Sequence, residues 1–281
     1  MLTIRALTLA LGGPPVLRGI DATARAGQIT VVIGPNGSGK TSLLRAIAGD
    51  LPHGGRIALD GTDLAALKPW ELAARRGVLP QASVLAFPFT VAEVVRLGLT
   101  AGTHAARRDV ILRALEEVDL AGFAGRLYQS LSGGQQARVQ FARVRAQIWE
   151  PVEAGRPRWL FLDEPVASLD LAHQIAVMRV LRRFADAGGG VVVVLHDLNL
   201  AAMAGDAIWL MQDGRLIAAG PPAEVIGSAA LAQAYGCPVA ANRLPAPGAT
   251  FVLPHGLWEE SSPAASKAAL PVAPVAATLR R

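Results

Sequence analysis

"QITVVIGPNGSGKTSLLRAIAG", residues 28–49, decides the fold. "ITVVI" is a short apolar, β-branched run, the mark of a strand buried on both faces. "GPNGSGKT", residues 34–41, fits the pattern G-x-x-x-x-G-K-[ST] and lies between that strand and a helix. Glycines there let backbone N–H groups turn inward around phosphate oxygens, and the helix start adds its positive dipole end. Gly34, Pro35, Asn36, Gly37, Ser38, Gly39, Lys40, Thr41 and Ser42 are therefore expected to cradle a nucleotide's phosphates. Lys40 should reach the β- and γ-phosphates, and Thr41 should ligate Mg²⁺. Leu43, Leu44, Ile47 and Ala48 recur at helical spacing, and Gly49 stops the helix. The class implied is α/β, a P-loop nucleotide-binding fold.

Outward from this centre, residues 2–28 read as antiparallel strands and "GRIALDG" (55–61) as another. Residues 88–150 change character: "TVAEVVRLGL", "ARRDVILRALEEVDL" and "LSGGQQARVQFARVRAQIW" are helical in period, a helical subdomain inserted between sheet elements. "RWLFLDEP" and "GGGVVVVLHDL" are buried strands ending in polar residues. "DAIWLMQDGRLIAAG" is a hairpin turned at Asp213-Gly214. The pattern weakens after about residue 220. A single nucleotide-binding domain over 1–258 is expected, with the Pro/Ala-rich stretch 259–281 as a disordered tail.

Composition narrows the class. Mean hydropathy is positive (+0.36), yet no run of about 18 apolar residues occurs, so no membrane span is expected. "MLTIRALTLALGG" lacks the layout of a secretory signal, and the lone Cys237 fits a reducing compartment. A net charge of +5 comes without a Lys/Arg block or aromatic–basic interleaving, so nucleic acid is not expected as a partner. His53, His104, His173 and His255 form no cofactor box and are expected in surface or structural roles.

Two further motifs carry chemistry. In "WLFLDEP" (159–165) an apolar strand delivers Asp163 to the sheet edge that holds the glycine-rich loop, where it can hold Mg²⁺. The adjacent Glu164 is placed to polarise an attacking water. "LSGGQQARVQ" (131–140) is a second phosphate-type device, with Ser132 supplying a hydroxyl, Gly133 and Gly134 close backbone approach, and Gln135 following at a helix start.

The order of "GPNGSGKT", "LSGGQ", "LFLDEP", "SLD" and an apolar strand ending in His resembles the ATP-binding subunits of ABC transporters, over about residues 2–240. That resemblance implies an ABC-type domain with a RecA-like core, an antiparallel β subdomain and a helical subdomain. It implies ATP and Mg²⁺ as ligands and a head-to-tail homodimer. Ser132, Gly133, Gly134 and Gln135 of one chain would then cap the γ-phosphate of ATP held by the other. It also implies that Gln81 senses Mg²⁺ and the attacking water, that Asp170 works across the dimer, and that His196 contacts the γ-phosphate. One departure is visible: "LTLALGG" offers Leu11 or a neighbour where the family usually stacks an aromatic ring on adenine.

A finer resemblance concerns the cargo. "HDLNLAA" looks like the ATPases of iron-siderophore, cobalamin and haem importers, and "LAFPFTVAEVV" with "PRWLFLDEPVASLDLAHQ" looks most like the haem importers among them. The extra residues in "WEPVEAGRP" (149–157) are similar to haem-importer members. The implied partners are a separate membrane permease, in two copies, docking through coupling helices, and a periplasmic substrate-binding protein. The implied place is the cytoplasmic face of the bacterial inner membrane. Phe87 and Phe89 flank Pro88 beside Gln81 and either pack the subdomain or line the docking groove. The alternatives are a ferric-siderophore or cobalamin importer ATPase and, further off, a soluble ABC ATPase acting on DNA or ribosomes. A nucleotide kinase or GTPase would explain the loop at 34–41 but neither "LSGGQ" nor His196.

Overall fold

The structure, a computed structural model, describes residues 1–81, 85, 87–101, 107, 109–239, 241–243, 245–246, 248–255 and 258. His104 and the stretch 259–281 lie outside the described residues. β1 (Leu2–Ala10) and β2 (Pro15–Ala24) form an antiparallel pair, and β3 (Ile29–Ile33) enters a second sheet. The glycine-rich loop leads into α1 (Lys40–Ile47). β4 (Gly54–Leu59) then returns beside β1, with β5 (Thr62–Asp63) at its flank. α2 (Pro69–Arg75) feeds β6 (Arg76–Leu79). Next come α3 (Val91–Ala101), α4 (Asp109–Glu116) and α5 (Gly133–Gln147). A small hairpin, β7 (Val152–Glu153) with β8 (Arg156–Pro157), precedes β9 (Trp159–Asp163). α6 (Leu171–Asp186), β10 (Gly190–Val194), α7 (Leu198–Ala204), β11 (Ala207–Gln212) and β12 (Arg215–Gly220) follow, then the short α8 (Pro222–Ile226) and α9 (Ala229–Tyr235).

The central sheet runs β12-β11-β3-β10-β9-β6, all parallel except β12, and the second sheet runs β2-β1-β4-β5. The period of two explains why the central strands are apolar throughout. Ile29, Val31 and Ile33 of β3, Val191 and Val193 of β10, and Leu160 and Leu162 of β9 join one core, shared with α3 to α6. Val32, Val192, Val194, Trp159 and Phe161 point to the opposite face and join the core under the antiparallel sheet and α1. Both faces of the sheet are thus covered, leaving its strand ends for chemistry.

The inserted helices are specified locally. α3 opens on a capping box: Glu93 accepts from the Thr90 N–H at 2.8 Å, while the Thr90 hydroxyl accepts from the Glu93 N–H. α3 packs tightly on α5, because a Cβ at Gly98 would lie 2.0 Å from the Arg143 carbonyl oxygen. Of the helical-period stretch 106–120, only Asp109–Glu116 is described as helix. The insertion 149–157 forms the β7–β8 hairpin on an Ala154-Gly155 turn, both at positive φ (+49° and +72°). α8 and α9 lie where the sequence pattern is weak, since five and seven residues are too few for a helical period to register.

Candidate active site

The carboxyl ends of β3, β10, β9 and β6 lie side by side, in register through Val32–Val194–Asp163 and Leu79–Leu162. In a parallel sheet this edge is where ligands bind. From it project the glycine-rich loop after β3, Asp163 and Glu164 at the end of β9, His196 beyond β10, and Gln81 beyond β6.

The loop's geometry follows from its glycines. Gly34, Gly37 and Gly39 have φ of +148°, +79° and +97°. At Gly34 the glycine is also forced sterically: a Cβ would sit 2.2 Å from the Met211 carbonyl oxygen and 2.9 Å from Ser38 Oγ. Lys40 is buried, and its ammonium donates to the Gly34 and Pro35 carbonyls, both at 2.9 Å. Burial lowers its pKa from the usual lysine value, partly offset by Glu164 and Asp163. Pro35, Asn36 and Gly37 rim the loop, Ser38 is buried, and Thr41 and Ser42 are half-buried at the start of α1.

Asp163 is buried, and its Oδ1 has no hydrogen-bond partner. Burial raises its pKa, against a hydrogen bond from Thr41; Glu164 adds to the rise, while Lys40 and His196 oppose it. A buried carboxylate with an open oxygen beside a hydroxyl is what a hard divalent cation would complete. Ser38 Oγ, also buried and without a partner, lies in the same loop. No cluster of three or more His, Cys, Asp or Glu occurs among the described residues.

Glu164 and His196 meet directly, Oε1 to Nε2 at 2.5 Å. The glutamate side chain is 15% exposed and the imidazole 44%. Glu164 holds a φ of +52°, rare for a non-glycine residue, with its N–H donating to Val194 O at 3.2 Å. Strand pairing thus fixes the backbone that aims the carboxylate. A cleft of about 380 Å³ is lined by Gln81, Tyr128, Gly133, Gln136, Asp163 and Glu164.

Ser132 is the N-cap of α5. It accepts from the Gln135 N–H, and Gln135 Oε1 accepts from the Ser132 N–H. Ser132 and Gly133 are exposed, and Gly134 is half-buried against the Ser168 carbonyl. Asp170 caps α6 through the His173 N–H at 2.9 Å and pairs with its imidazole at 2.7 Å, which lowers the Asp170 pKa. His53 lies over the Gly54 carbonyl and His255 is half-buried. Cys237 is exposed and free. Leu11 is 55% exposed, on the turn between β1 and β2. Phe89 packs on the core, whereas Phe87, edge-on to it, is 67% exposed.

A family model described as "ABC transporter" matches residues 17–167. The chain belongs to the ABC transporter family. Among its relatives, the hemin import ATP-binding protein HmuV of Jannaschia sp. (strain CCS1) is 58% identical over 91% of this chain and 94% of that one. The protein of the same name from Roseobacter denitrificans is 57% identical over 89% and 95%. An ATP-binding cassette solved as a post-hydrolysis dimer with ADP and Pi aligns over 79% of this ABC chain and 99% of its own, at TM-score 0.69 and 26% identity. An ATP-binding subunit of an ABC transporter aligns over 84% and 93%, at TM-score 0.70 and 22% identity. The fold expected from the motifs, an ABC ATP-binding cassette, is the one these structures share. Among the described residues, no helix of this ABC chain is long and apolar enough to cross a membrane.

Two features of the edge have no signature in the sequence. The direct Glu164–His196 contact joins residues 32 positions apart. The Gly34 N–H donates to the Tyr235 hydroxyl at 3.1 Å, across 201 positions. Tyr235 lies in the weakly patterned region and carries no motif.

Proposed function

We propose that this chain hydrolyses ATP to drive haem import through a separate membrane permease, on the cytoplasmic face of a bacterial inner membrane. A periplasmic substrate-binding protein would complete the system. The observation that carries the cargo is the close identity, over nearly full length, to proteins named for hemin import. The ATPase chemistry rests on the convergence of Lys40, Asp163, Glu164, His196 and Gln81 at one sheet edge.

The loop from Gly34 to Ser42 binds the phosphates, and Lys40 exchanges its two carbonyl partners for phosphate oxygens. Thr41, Asp163 and Gln81 would hold Mg²⁺, which neutralises charge on the phosphate oxygens. Glu164 accepts the proton of the attacking water, with His196 meeting its Oε1 and contacting the γ-phosphate.

The signature loop supports a two-chain site. Its capping box occupies the N–H groups of Ser132 and Gln135, leaving those of Gly133 and Gly134 as orphan donors of the first turn. These donors, on the exposed Gly133 and the half-buried Gly134 beside the Ser132 hydroxyl, suit a phosphate brought by a second copy, arranged head to tail. Asp170, on the adjacent exposed cap, would work across the same dimer. Phe87 is the more exposed of the two phenylalanines and is the candidate contact for a coupling helix.

The test replaces the wild-type chain by Lys40→Ala in the source cell, grown on haem as the only iron source, with ferric-siderophore and cobalamin dependence in parallel. Selective loss of haem-dependent growth is expected. Normal growth on haem with loss on a siderophore or cobalamin would overturn the cargo and favour the related importers.

A further inference from the structure

The Gly34 peptide is held from three sides. Its N–H donates to Tyr235 Oη at 3.1 Å, and its carbonyl accepts from the Lys40 ammonium at 2.9 Å. Its α-carbon abuts the Met211 carbonyl of β11. Tyr235 is half-buried at the end of α9, a helix that packs on β11 and buries Leu231 and Ala234. The first donor of the phosphate loop is therefore gripped by the far end of the domain. Glycine is the torsionally freest residue, and bonds on both sides of Gly34 fix the two peptide planes that set the lysine's seat.

We propose that Tyr235 is a positioning residue of the nucleotide site, its hydroxyl holding Gly34 so that the loop and Lys40 are preorganised for phosphate. It touches neither substrate nor reacting atoms. Without the hydroxyl, Gly34 explores further conformations in the empty protein, and nucleotide must select the competent one. The penalty falls on binding. Once ATP is bound, its phosphates hold the loop, and the chemical step proceeds as before.

The inference rests on ATP being held by this loop, so wild type and Lys40→Ala are run beside the variant. Tyr235→Phe keeps the ring and removes the acceptor. Affinity for Mg·ATP is measured on the full chain by displacement of a fluorescent ATP analogue, together with kcat and Tm. About a three- to tenfold loss of affinity is expected, the size of one hydrogen bond, with kcat within about twofold of wild type. Tyr235→Leu, which also empties the ring's volume, should lower Tm further yet lose no more affinity than Phe does.

Unchanged affinity in Tyr235→Phe, with wild type binding normally, would overturn the positioning role alone. Affinity that falls only in step with Tm across the two variants would also overturn it, because the residue would then be mere packing. A wild-type chain that fails to bind Mg·ATP would overturn the loop's role as well.

Discussion

Glu164→Gln separates binding from chemistry. Glutamine is isosteric, keeps the backbone bond to Val194 O, and can still meet His196 where Oε1 now lies 2.5 Å from Nε2. It cannot accept the proton of the attacking water. General-base assistance contributes about 10²–10⁴-fold, so kcat should fall by that factor, about 3–5 kcal/mol in the barrier. Binding should move the other way. Glu164 raises the pKa of the buried Asp163, and removing its charge favours the ionised aspartate that a cation needs. Its support for the Lys40 charge is lost too, but the lysine keeps Asp163 and both carbonyl partners. KM for Mg·ATP should therefore stay level or fall, and an ATP-bound two-chain form should accumulate. The half-open Glu164–His196 contact contributes little to stability, so unfolding should shift by no more than about 1 kcal/mol. The assay is phosphate release at saturating Mg·ATP with light scattering on the same sample. Turnover within about tenfold of wild type would refute Glu164 as the base. A folded variant that stays a single chain in saturating Mg·ATP would refute the composite site.

Three other outcomes follow from the same geometry. Gly34→Ala meets both a Met211 carbonyl at 2.2 Å and a φ of +148°, so it should abolish ATP binding or folding; Gly37→Ala, with φ +79° and open space, should cost only about 1–2 kcal/mol, and similar losses in calorimetry and nucleotide titration would contradict this. Arg145→Ala takes the ion-pair partner from Glu117, whose pKa burial already raises, leaving it only the field of Arg183, and should cost about 3 kcal/mol in urea unfolding, with Glu117→Gln added on top recovering part of it; a loss below about 1 kcal/mol would refute the pairing. Burial raises the Asp163 pKa, so the folded chain holds that proton more tightly than the unfolded one, and cation-free stability declines as pH climbs from the ordinary aspartate value through the raised one. Mg·ATP should accordingly add more to Tm above that window than at its acid end, and Asp163→Asn should erase most of that difference; an equal increment across the window would refute it.

What the sequence makes legible is what a local pattern encodes. The glycine-rich loop, the strands of β3, β9 and β10, the Asp213-Gly214 hairpin and the Ser132 cap each carry their cause within a few residues, through period, turn chemistry or capping. Sheet order needs more than that. β3, β10 and β9 become neighbours although they are far apart in the chain, and only this crossover sets Glu164 against His196. The motif order supplied the convergence by resemblance, without the contact itself. Tyr235 marks the limit, since one phenol in a region of weak pattern has no signature, and its partner is a backbone N–H that any residue but proline would offer. The same contact ties the nucleotide loop to the C-terminal helices. β11 walls Gly34 through Met211, α9 packs on β11, and Tyr235 returns from α9 to the loop, so the seat of Lys40 is assembled from both ends of the ABC fold. A chain cut before α9 would keep every motif quoted from the sequence and lose one of the bonds that orders its phosphate loop.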